Sequence, residues 1–461
     1  MYFEHIYDKT LSQASYFIGC QATGEAIVID AKRDVDTYLT IAKQQKMQIT
    51  HVVETHIHAD FLAGTRELAA LTGAKISLSA EGGDDWQYQY THADLRESDR
   101  LLVGNLSFEV IHTPGHTPES ISLLLRDHPS SDEPVMIFTG DFVFVGDIGR
   151  PDLLEEAAGV VGSKDIGAAD MFASLKKFSA LPDYVQVWPG HGAGSACGKA
   201  LGAVASSTVG YEKIRNWAFQ YGDDYEGFKD ALLSDQPEAP RYFATMKQLN
   251  RVERNLLTEV PVHPVKTWKE ALALESVQLV DARHKNQYAA GHIQGSLNIQ
   301  HNNAMATWCG WMLSYNDAIV IIAEEAAHEE ITRKLMRIGL DNISAFVTAI
   351  DSAPLVSSVV LDTEEVENLK DQDPYLLVDV RNRNEYEKSH IPGAVHAFVG
   401  HLPSADLRIF DGKKLIIQCQ SGDRASIAYS YLESQGFKDL SIYPGSFAEW
   451  KKLGKPVAVE N

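Results

Sequence analysis

The stretch VQLVDARHKNQYAAGHIQGSLNI at 277–299 is written again, with changes, as YLLVDVRNRNEYEKSHIPGAVHA at 375–397. Asp281, Arg283, Tyr288, His292 and Gly295 recur as Asp379, Arg381, Tyr386, His390 and Gly393, each pair 98 residues apart. Each copy continues into an apolar strand pattern and then a helical pattern that closes on Gly. A repeat of that size exceeds the roughly 20–50 residues of a solenoid unit. It predicts two copies of one α/β domain, over 260–352 and 357–461. Residues 1–256 are left as a domain of another kind, and 461 residues are too many for a single core.

That first segment alternates strand and turn patterns with helices between. EAIVID, ITHVVETH, LSFEVIHT, PVMIFTGD and VQVWPGH are short apolar runs, and nearly all end in Asp or His beside Gly or Pro. Strand ends gathered along one sheet edge would bring those ligand types together. Residues 211–256 read as helices interrupted by QPEAPR.

Within ETHIHADFLAG (54–64), His56, His58 and Asp60 alternate, and Phe61 follows. Downstream come His116 in HTPGHTPES, Asp141 in FTGDFVF and His191 in WPGHGAG. His and carboxylate together suit zinc, iron or manganese. A lone His is more often a packed residue, but a cluster joined by three more at Gly-flanked strand ends points to metal.

On these residues the segment resembles the metallo-β-lactamase fold, whose pattern H-x-H-x-D-H, then His, Asp, His, is matched everywhere except at Phe61. The resemblance implies an αββα sandwich. In the two-metal hydrolases of the family, such as the glyoxalase II type, the position of Phe61 supplies a ligand to the second metal, and phenylalanine has no lone pair to give. The one-metal persulfide dioxygenase branch is therefore the one implied. There a single Fe(II) per chain would be held by His56, His116 and Asp141, with zinc as the alternative, and His58, Asp60 and His191 would orient ligands and waters. Two histidines and a carboxylate are the ligand set of non-haem Fe(II) oxygenases, with room left for substrate and dioxygen. The resemblance further implies that Arg150 and Thr117 bind the thiol carrier, although Arg150 is also placed to pair with Asp147 or Asp152. A tyrosine that contacts glutathione in the glutathione-using enzymes is Ala193 here, which leaves the carrier open among glutathione, coenzyme A, cysteine or another thiol. Cys197, six residues after His191, is read as a possible redox or sulfur relay, with a small packed thiol as the plain alternative.

LIIQCQSGDRASIAYSYL (415–432) sets a strand, Cys419, a tight loop with Gly422 and Arg424, and a helix. Loop N–H groups and a helix N-terminus favour a thiolate, and Arg424 adds positive charge, so Cys419 and Arg424 are the expected catalytic pair. The module resembles a rhodanese domain, in which the cysteine carries sulfane sulfur. Related cysteine phosphatases usually place Arg six residues after Cys rather than five, and phosphatase or arsenate reductase chemistry is the alternative. The first copy has AEEAAHEE where the second has CQSGDRAS, with Ala323 in the cysteine position, and is read as inactive. Cys20 and Cys309 lie outside these contexts and are read as structural.

The net charge of −22 argues against general nucleic-acid or anionic-membrane binding. Four cysteines in so long a chain are no disulfide framework. MYFEHIYDKT has neither the basic patch nor the apolar run of a signal peptide, and a cytoplasmic protein is expected. The fold expected is a multidomain α/β chain, an N-terminal metallo-β-lactamase sandwich followed by two rhodanese domains. The function implied is oxidation of a thiol persulfide by O2 to thiol and sulfite, with Cys419 transferring sulfur so that thiosulfate forms. Alternatives are a zinc thioester hydrolase of the glyoxalase II type and a non-catalytic sulfur sensor. Expected partners are the small-molecule persulfide, O2, sulfite or thiosulfate, and a second copy of the chain.

Overall fold

Strand β2 (Gln13–Cys20) is buried along its whole length because both its faces are covered. Side chains alternate across a strand, so Tyr16 and Ile18 point one way and Phe17 the other. Tyr16 and Ile18 join Ile27, Ile29, Val53, Phe108, Leu123, Leu125 and Phe138 in a core between two sheets. Phe17 joins Val28, Tyr38 and Leu68 under the helices on the outer face. The computed structural model describes residues 1–153, 155, 162–199 and 201–460. Positions 154, 156–161 and 200 of the first expected domain, and 461 of the third, lie outside the described residues.

The chain divides into two compact units, Met1–Val260 with Met336–Gly339, and Pro261–Leu335 with Leu340–Asn461. In the first unit, β1 (Tyr2–Asp8), β2, β3 (Glu25–Ile29), β4 (Gln48–Val53), β5 (Lys75–Ser79) and β6 (Ala93–Leu95) form one sheet in sequence order. The second sheet takes β7 (Arg100–Val103), β8 (Leu106–His112), β9 (Ile121–Asp127), β10 (Pro134–Gly140), β11 (Gln186–Pro189) and β12 (Ser207–Thr208). Helices α1 (Asp36–Gln45) and α2 (Thr65–Thr72) cover the first sheet. Helices α3 (Ser163–Ser179), α4 (Val209–Arg215) and α5 (Tyr225–Leu233) cover the second, where Met171, Phe178, Val209 and Phe228 pack on Leu124 and Ile137. The layers are helix, sheet, sheet, helix. The tail expected to be helical holds α4, α5 and α6 (Phe243–Arg251), with QPEAPR between the last two.

In the second unit, β13 (Val277–Asp281), β15 (Leu297–Asn298), β16 (Ala318–Ile322) and β17 (Ile343–Val347) make one parallel sheet, ordered β15-β13-β16-β17. Strand β14 (His292–Ile293) pairs antiparallel with β18 (Leu355–Val356). The second parallel sheet orders β19 (Val359–Val360), β23 (Leu440–Ile442), β22 (Lys414–Gln418), β20 (Tyr375–Asp379) and β21 (Val395–His396) as β19-β23-β22-β20-β21. The residues that repeat in sequence are internal struts. Arg283 grips Asp281 at 2.6 Å and the Gly291 carbonyl at 2.9 Å, and Arg381 grips Asp379 at 2.6 Å and the Ser389 carbonyl at 2.8 Å. His292 stacks on Tyr288 at 3.7 Å between ring centres, as His390 does on Tyr386 at 4.0 Å. No helix among the described residues is long and apolar enough to cross a membrane.

Candidate metal centre and sulfur loop

The ends of β3, β4, β8, β10 and β11 meet at one edge of the sandwich. The Ile121 N–H donates to the Thr55 carbonyl at 2.8 Å and the Gly190 N–H to the Gly140 carbonyl at 2.7 Å, stitching the loops that carry the ligand types. Gly140 has φ +50°, and a Cβ there would lie 2.3 Å from Thr55 Oγ1, so the turn that delivers Asp141 leaves room only for glycine.

His56, His116 and Asp141 converge, with one ligand atom from each within 4.8 Å of the others. His56 Nε2 is 3.8 Å and His116 Nε2 3.6 Å from Asp141 Oδ2. The other nitrogen of each ring is already used: His116 Nδ1 meets the Arg150 carbonyl at 2.8 Å and His56 Nδ1 meets Thr55 Oγ1 at 3.0 Å. Both Nε2 atoms are thereby left to face the carboxylate. All three side chains are buried, yet among the described residues His56 Nε2 and both Asp141 oxygens have no hydrogen-bond partner. Orphaned polar atoms in such a place are costly, and a cation satisfies them together. Two imidazoles and a carboxylate fit zinc or iron.

Burial lowers the His56 pKa well below the usual histidine value, helped by the neighbouring His58, and burial likewise lowers that of His116. Burial alone would raise Asp141, but His191, His56, His116 and His58 overcome it and hold the carboxyl below its usual range. The site is thus set with neutral imidazoles and an ionised carboxylate, the forms that bind metal.

The His58 ring lies 4.2 Å from that of His56 but is bonded elsewhere. Its Nε2 meets Asp30 Oδ1 at 3.1 Å, and although burial works against the charge, Asp30 raises the pKa to about 9. Asp60 and His191 form a second group with Cys197, again with ligand atoms within 4.8 Å. His191 Nε2 lies 3.2 Å from Asp60 Oδ2 and 3.5 Å from Asp141 Oδ2, and its Nδ1 meets the Ser12 carbonyl at 3.0 Å. Burial and the Asp141 and Asp60 carboxylates push the Cys197 thiol pKa up. Phe61 is fully buried, with its ring 4.3 Å from that of His58. Thr117 is buried and donates its hydroxyl to Glu119 at 3.0 Å.

Arg150, expected to bind the carrier, is fully buried; its Nε donates to Asp152 Oδ1 at 2.8 Å, and Nη1 donates to the Pro237 carbonyl at 2.5 Å. The Asp152 pairing exists, inside rather than on the surface. What Arg150 offers the site is its carbonyl, which orients His116.

Three supporting residues were not singled out from the sequence. Asp30 accepts from Thr55 N at 2.7 Å and Thr55 Oγ1 at 2.9 Å besides holding His58. Glu119 Oε1 accepts from Ile57 N at 2.7 Å as well as from Thr117, so it ties the loop of His56 to that of His116. Asn250 Nδ2 donates to the carbonyls of His58 and Phe61 at 2.8 Å, and its Oδ1 accepts from Ala63 N at 2.9 Å. Asp30 ends the apolar run AIVID, the same signal that marks Asp141. Asn250 shares the buried face of α6 with Phe243 and Met246.

In the second unit, Cys419 follows β22 and is 1% exposed. Gly422, at φ +93°, turns its N–H onto the Cys419 sulfur at 3.1 Å and opens helix α7 (Asp423–Ser434). The Cys419 N–H donates to Ser446 Oγ at 3.1 Å. Arg424 is bound by Glu385 at 2.5 and 2.9 Å, so a carboxylate the sequence reading did not weigh shares the charge set beside Cys419. In the first copy, Ala323 follows β16 in the corresponding place, with His328 stacked on Phe346 at 3.9 Å beside it.

Residues 9–191 match the metallo-beta-lactamase superfamily, and residues 265–349 and 362–453 match the rhodanese-like domain. The crystal structure of a metallo-beta-lactamase from Staphylococcus aureus subsp. aureus COL is 45% identical, covering 76% of this chain and 99% of its own, with a TM-score of 0.71. Hydroxyacylglutathione hydrolase of Rhodospirillum rubrum is 33% identical over 176 residues, 38% of this chain and 60% of the relative. Mitochondrial persulfide dioxygenase of Bos taurus is 27% identical over 186 residues, 38% of this chain and 63% of the relative. The chain therefore spans about three fifths of the length of these two curated relatives.

Proposed function

The chain belongs to the metallo-β-lactamase superfamily and carries two rhodanese-like domains, and from that premise we propose that it is a persulfide dioxygenase with a sulfurtransferase arm. One observation carries the reading: ligand atoms of His56, His116 and Asp141 lie within 4.8 Å of one another, and the residue that follows Asp60 is Phe61, a buried ring with no lone pair to give a second metal. In the reaction, a thiol persulfide, O2 and water give the thiol, sulfite and two protons, and the terminal sulfur is oxidised. A ferrous ion held by the three ligands would supply the redox chemistry and room for both reactants when bound. Zinc in the same set would favour hydrolysis.

The chain's own residues do the positioning. The Arg150 carbonyl and Thr55 hydroxyl aim His116 and His56, and Asp30 engages His58 Nε2. Phe61 gives that side of the site an apolar wall. A cleft of about 460 Å³ reaches the His116 turn at Gly115 and Pro118, and Trp86, Lys247 and Arg251 also line it. We seat the thiol carrier there, with Thr117 at its inner end, and read Cys197 as a sulfur relay beside His191. In the second unit, Cys419 takes up sulfane sulfur as a persulfide, Arg424 sets the charge around it, and the first copy, with Ala323, serves as support.

Oxygen uptake by iron-loaded protein on addition of a thiol persulfide tests the proposal, with sulfite and thiosulfate assayed together. Uptake that needs iron is the expected result. No uptake with any persulfide despite bound iron would refute it. A zinc thioester hydrolase is the second reading, favoured by the higher identity to the Rhodospirillum rubrum hydrolase than to the Bos taurus dioxygenase. Hydrolysis of S-lactoylglutathione would mark that case.

A further inference from the structure

Four polar residues of α7, Asp423, Ser426, Ser430 and Glu433, follow one another at steps of three, four and three and so share one helix face. Every one of them is bonded to the first rhodanese copy. Lys285 Nζ donates to Asp423 Oδ1 at 2.6 Å, and Ser426 Oγ donates to Asn298 Oδ1 at 2.6 Å. The Asn298 N–H donates to Ser430 Oγ at 2.9 Å, and the Gly295 N–H donates to Glu433 Oε2 at 3.2 Å with His292 Nε2 3.1 Å from the same oxygen. The first copy therefore grips the helix that follows Cys419 from its first turn to its last.

The grip continues into the sulfur loop. The carbonyls of Cys419 and Gln420 accept at 3.0 Å from the N–H groups of Phe447 and Ala448, which belong to helix α8 (Ser446–Lys452) of the same copy. The third carbonyl, that of Ser421, accepts from Lys285 Nζ of the other copy at 2.5 Å. A peptide unit is planar and trans, so its C=O and N–H point in opposite directions. The unit whose oxygen Lys285 holds is the one whose nitrogen, Gly422 N, donates to the Cys419 sulfur at 3.1 Å. Binding the oxygen aims the N–H, and a cation at the oxygen polarises the amide toward the sulfur. At the position of Lys285 in the second copy stands Arg383, which instead pairs with Glu387 of its own helix at 3.2 Å. The duplicated position serves a different purpose in each copy.

We propose that Lys285, supplied by the rhodanese copy that has Ala323 in place of a cysteine, is a positioning residue for Cys419: it holds the Ser421 carbonyl so that the Gly422 N–H points at the sulfur. This rests on the reading of Cys419 as a sulfur carrier. The test uses the full chain and two readouts: sulfur transfer from thiosulfate to cyanide, and hydrogen exchange of the 419–425 segment. Losing one charge-assisted hydrogen bond corresponds to a fall of roughly tenfold in rate. Lys285→Met is expected to lower kcat by about that factor with KM within about threefold, and to speed exchange at Gly422. Lys285→Arg, which can still reach the carbonyl, is expected to recover most of the rate. Wild-type kcat and exchange in Lys285→Met would overturn the proposal, as would equal loss in Lys285→Arg. Should Lys285→Met fail to fold, Lys285→Gln, which keeps a donor without the charge, is read the same way: a partial loss supports the proposal and no loss overturns it. A wild-type protein that transfers no sulfur and carries none on Cys419 would defeat the carrier reading instead, and the exchange result would still decide whether Lys285 orders the loop.

Discussion

Asp30 offers the sharpest test of how the metal centre is held. Its carboxylate is 1% exposed and accepts three hydrogen bonds, from Thr55 N at 2.7 Å, Thr55 Oγ1 at 2.9 Å and His58 Nε2 at 3.1 Å. Asp30→Ala leaves three buried donors, the Thr55 N–H, the Thr55 hydroxyl and the His58 imidazole, without their acceptor, at about 1 kcal/mol or more each. Asp30 also sits at φ 52°, a left-handed conformation that Asp tolerates and Ala resists, adding about 1 kcal/mol. The total is about 4 kcal/mol, a large share of the roughly 5–15 kcal/mol that keeps a domain folded. Asp30→Asn keeps the shape and an acceptor for Thr55, so about half that loss is expected. Hydrogen exchange of the 48–58 segment is the assay, because it reports this unit without requiring a single two-state transition of the whole chain. Protection there is expected to fall by on the order of a thousandfold in Asp30→Ala. Metal affinity should fall about 10–100-fold, as when a partner that orients a ligand is lost. A loss below about 1 kcal/mol with metal retained would refute the reasoning, since it would mean that His58 and Thr55 do not depend on Asp30.

Other outcomes follow from the same geometry. His116→Ala is expected to lose bound metal and oxygen uptake together, and iron retained at full stoichiometry would show that the ligand set is wrong. Phe61→His restores a donor where the chain has a buried ring, so metal analysis should show more than one ion per chain, at a stability cost of about 1–3 kcal/mol; a stoichiometry fixed at one would count against Phe61 as the excluding residue. Cys419→Ala should abolish thiosulfate formation while leaving oxygen uptake largely intact, and equal loss of both would contradict the division of labour. Glu67 is buried between Arg254 at 2.5 Å and Arg33 at 3.2 Å. Burial would raise its pKa, but hydrogen bonding and charge from Arg254 outweigh it and hold the carboxyl below the usual range. Its stabilisation is therefore complete above the unfolded-state pKa and is lost as pH falls through the folded-state value. Glu67→Gln should lose about 3–5 kcal/mol at neutral pH and show a flatter acid limb in a pH–stability profile; a mutant profile parallel to wild type would refute the assignment.

The fold plan, a metallo-β-lactamase domain followed by two rhodanese-like domains, was legible in the sequence, as were the strand-end His and Asp residues that the structure gathers. A repeat 98 residues long cannot be mistaken for chance alternation, and strand runs ending in Asp or His name their own ligands because side-chain period and turn chemistry are local properties. Asp30 was legible by that same rule, at the end of EAIVID, and was passed over because it ligates nothing itself. Glu119, Asn250 and Glu385 were not legible. Each acts on a partner far away in sequence, and hydrogen bonds between distant segments leave no period behind. Arg150 shows the converse: the pairing with Asp152 was within reach of the sequence, while its burial and the hold of the Pro237 carbonyl come from packing. The tie between the two rhodanese copies belongs to the tertiary structure as well. The stripe Asp423, Ser426, Ser430, Glu433 is visible in the sequence as a polar helix face that would ordinarily be solvated. Folding alone sets Lys285, Asn298 and His292 against it, because the partners come from a segment more than a hundred residues earlier in the chain.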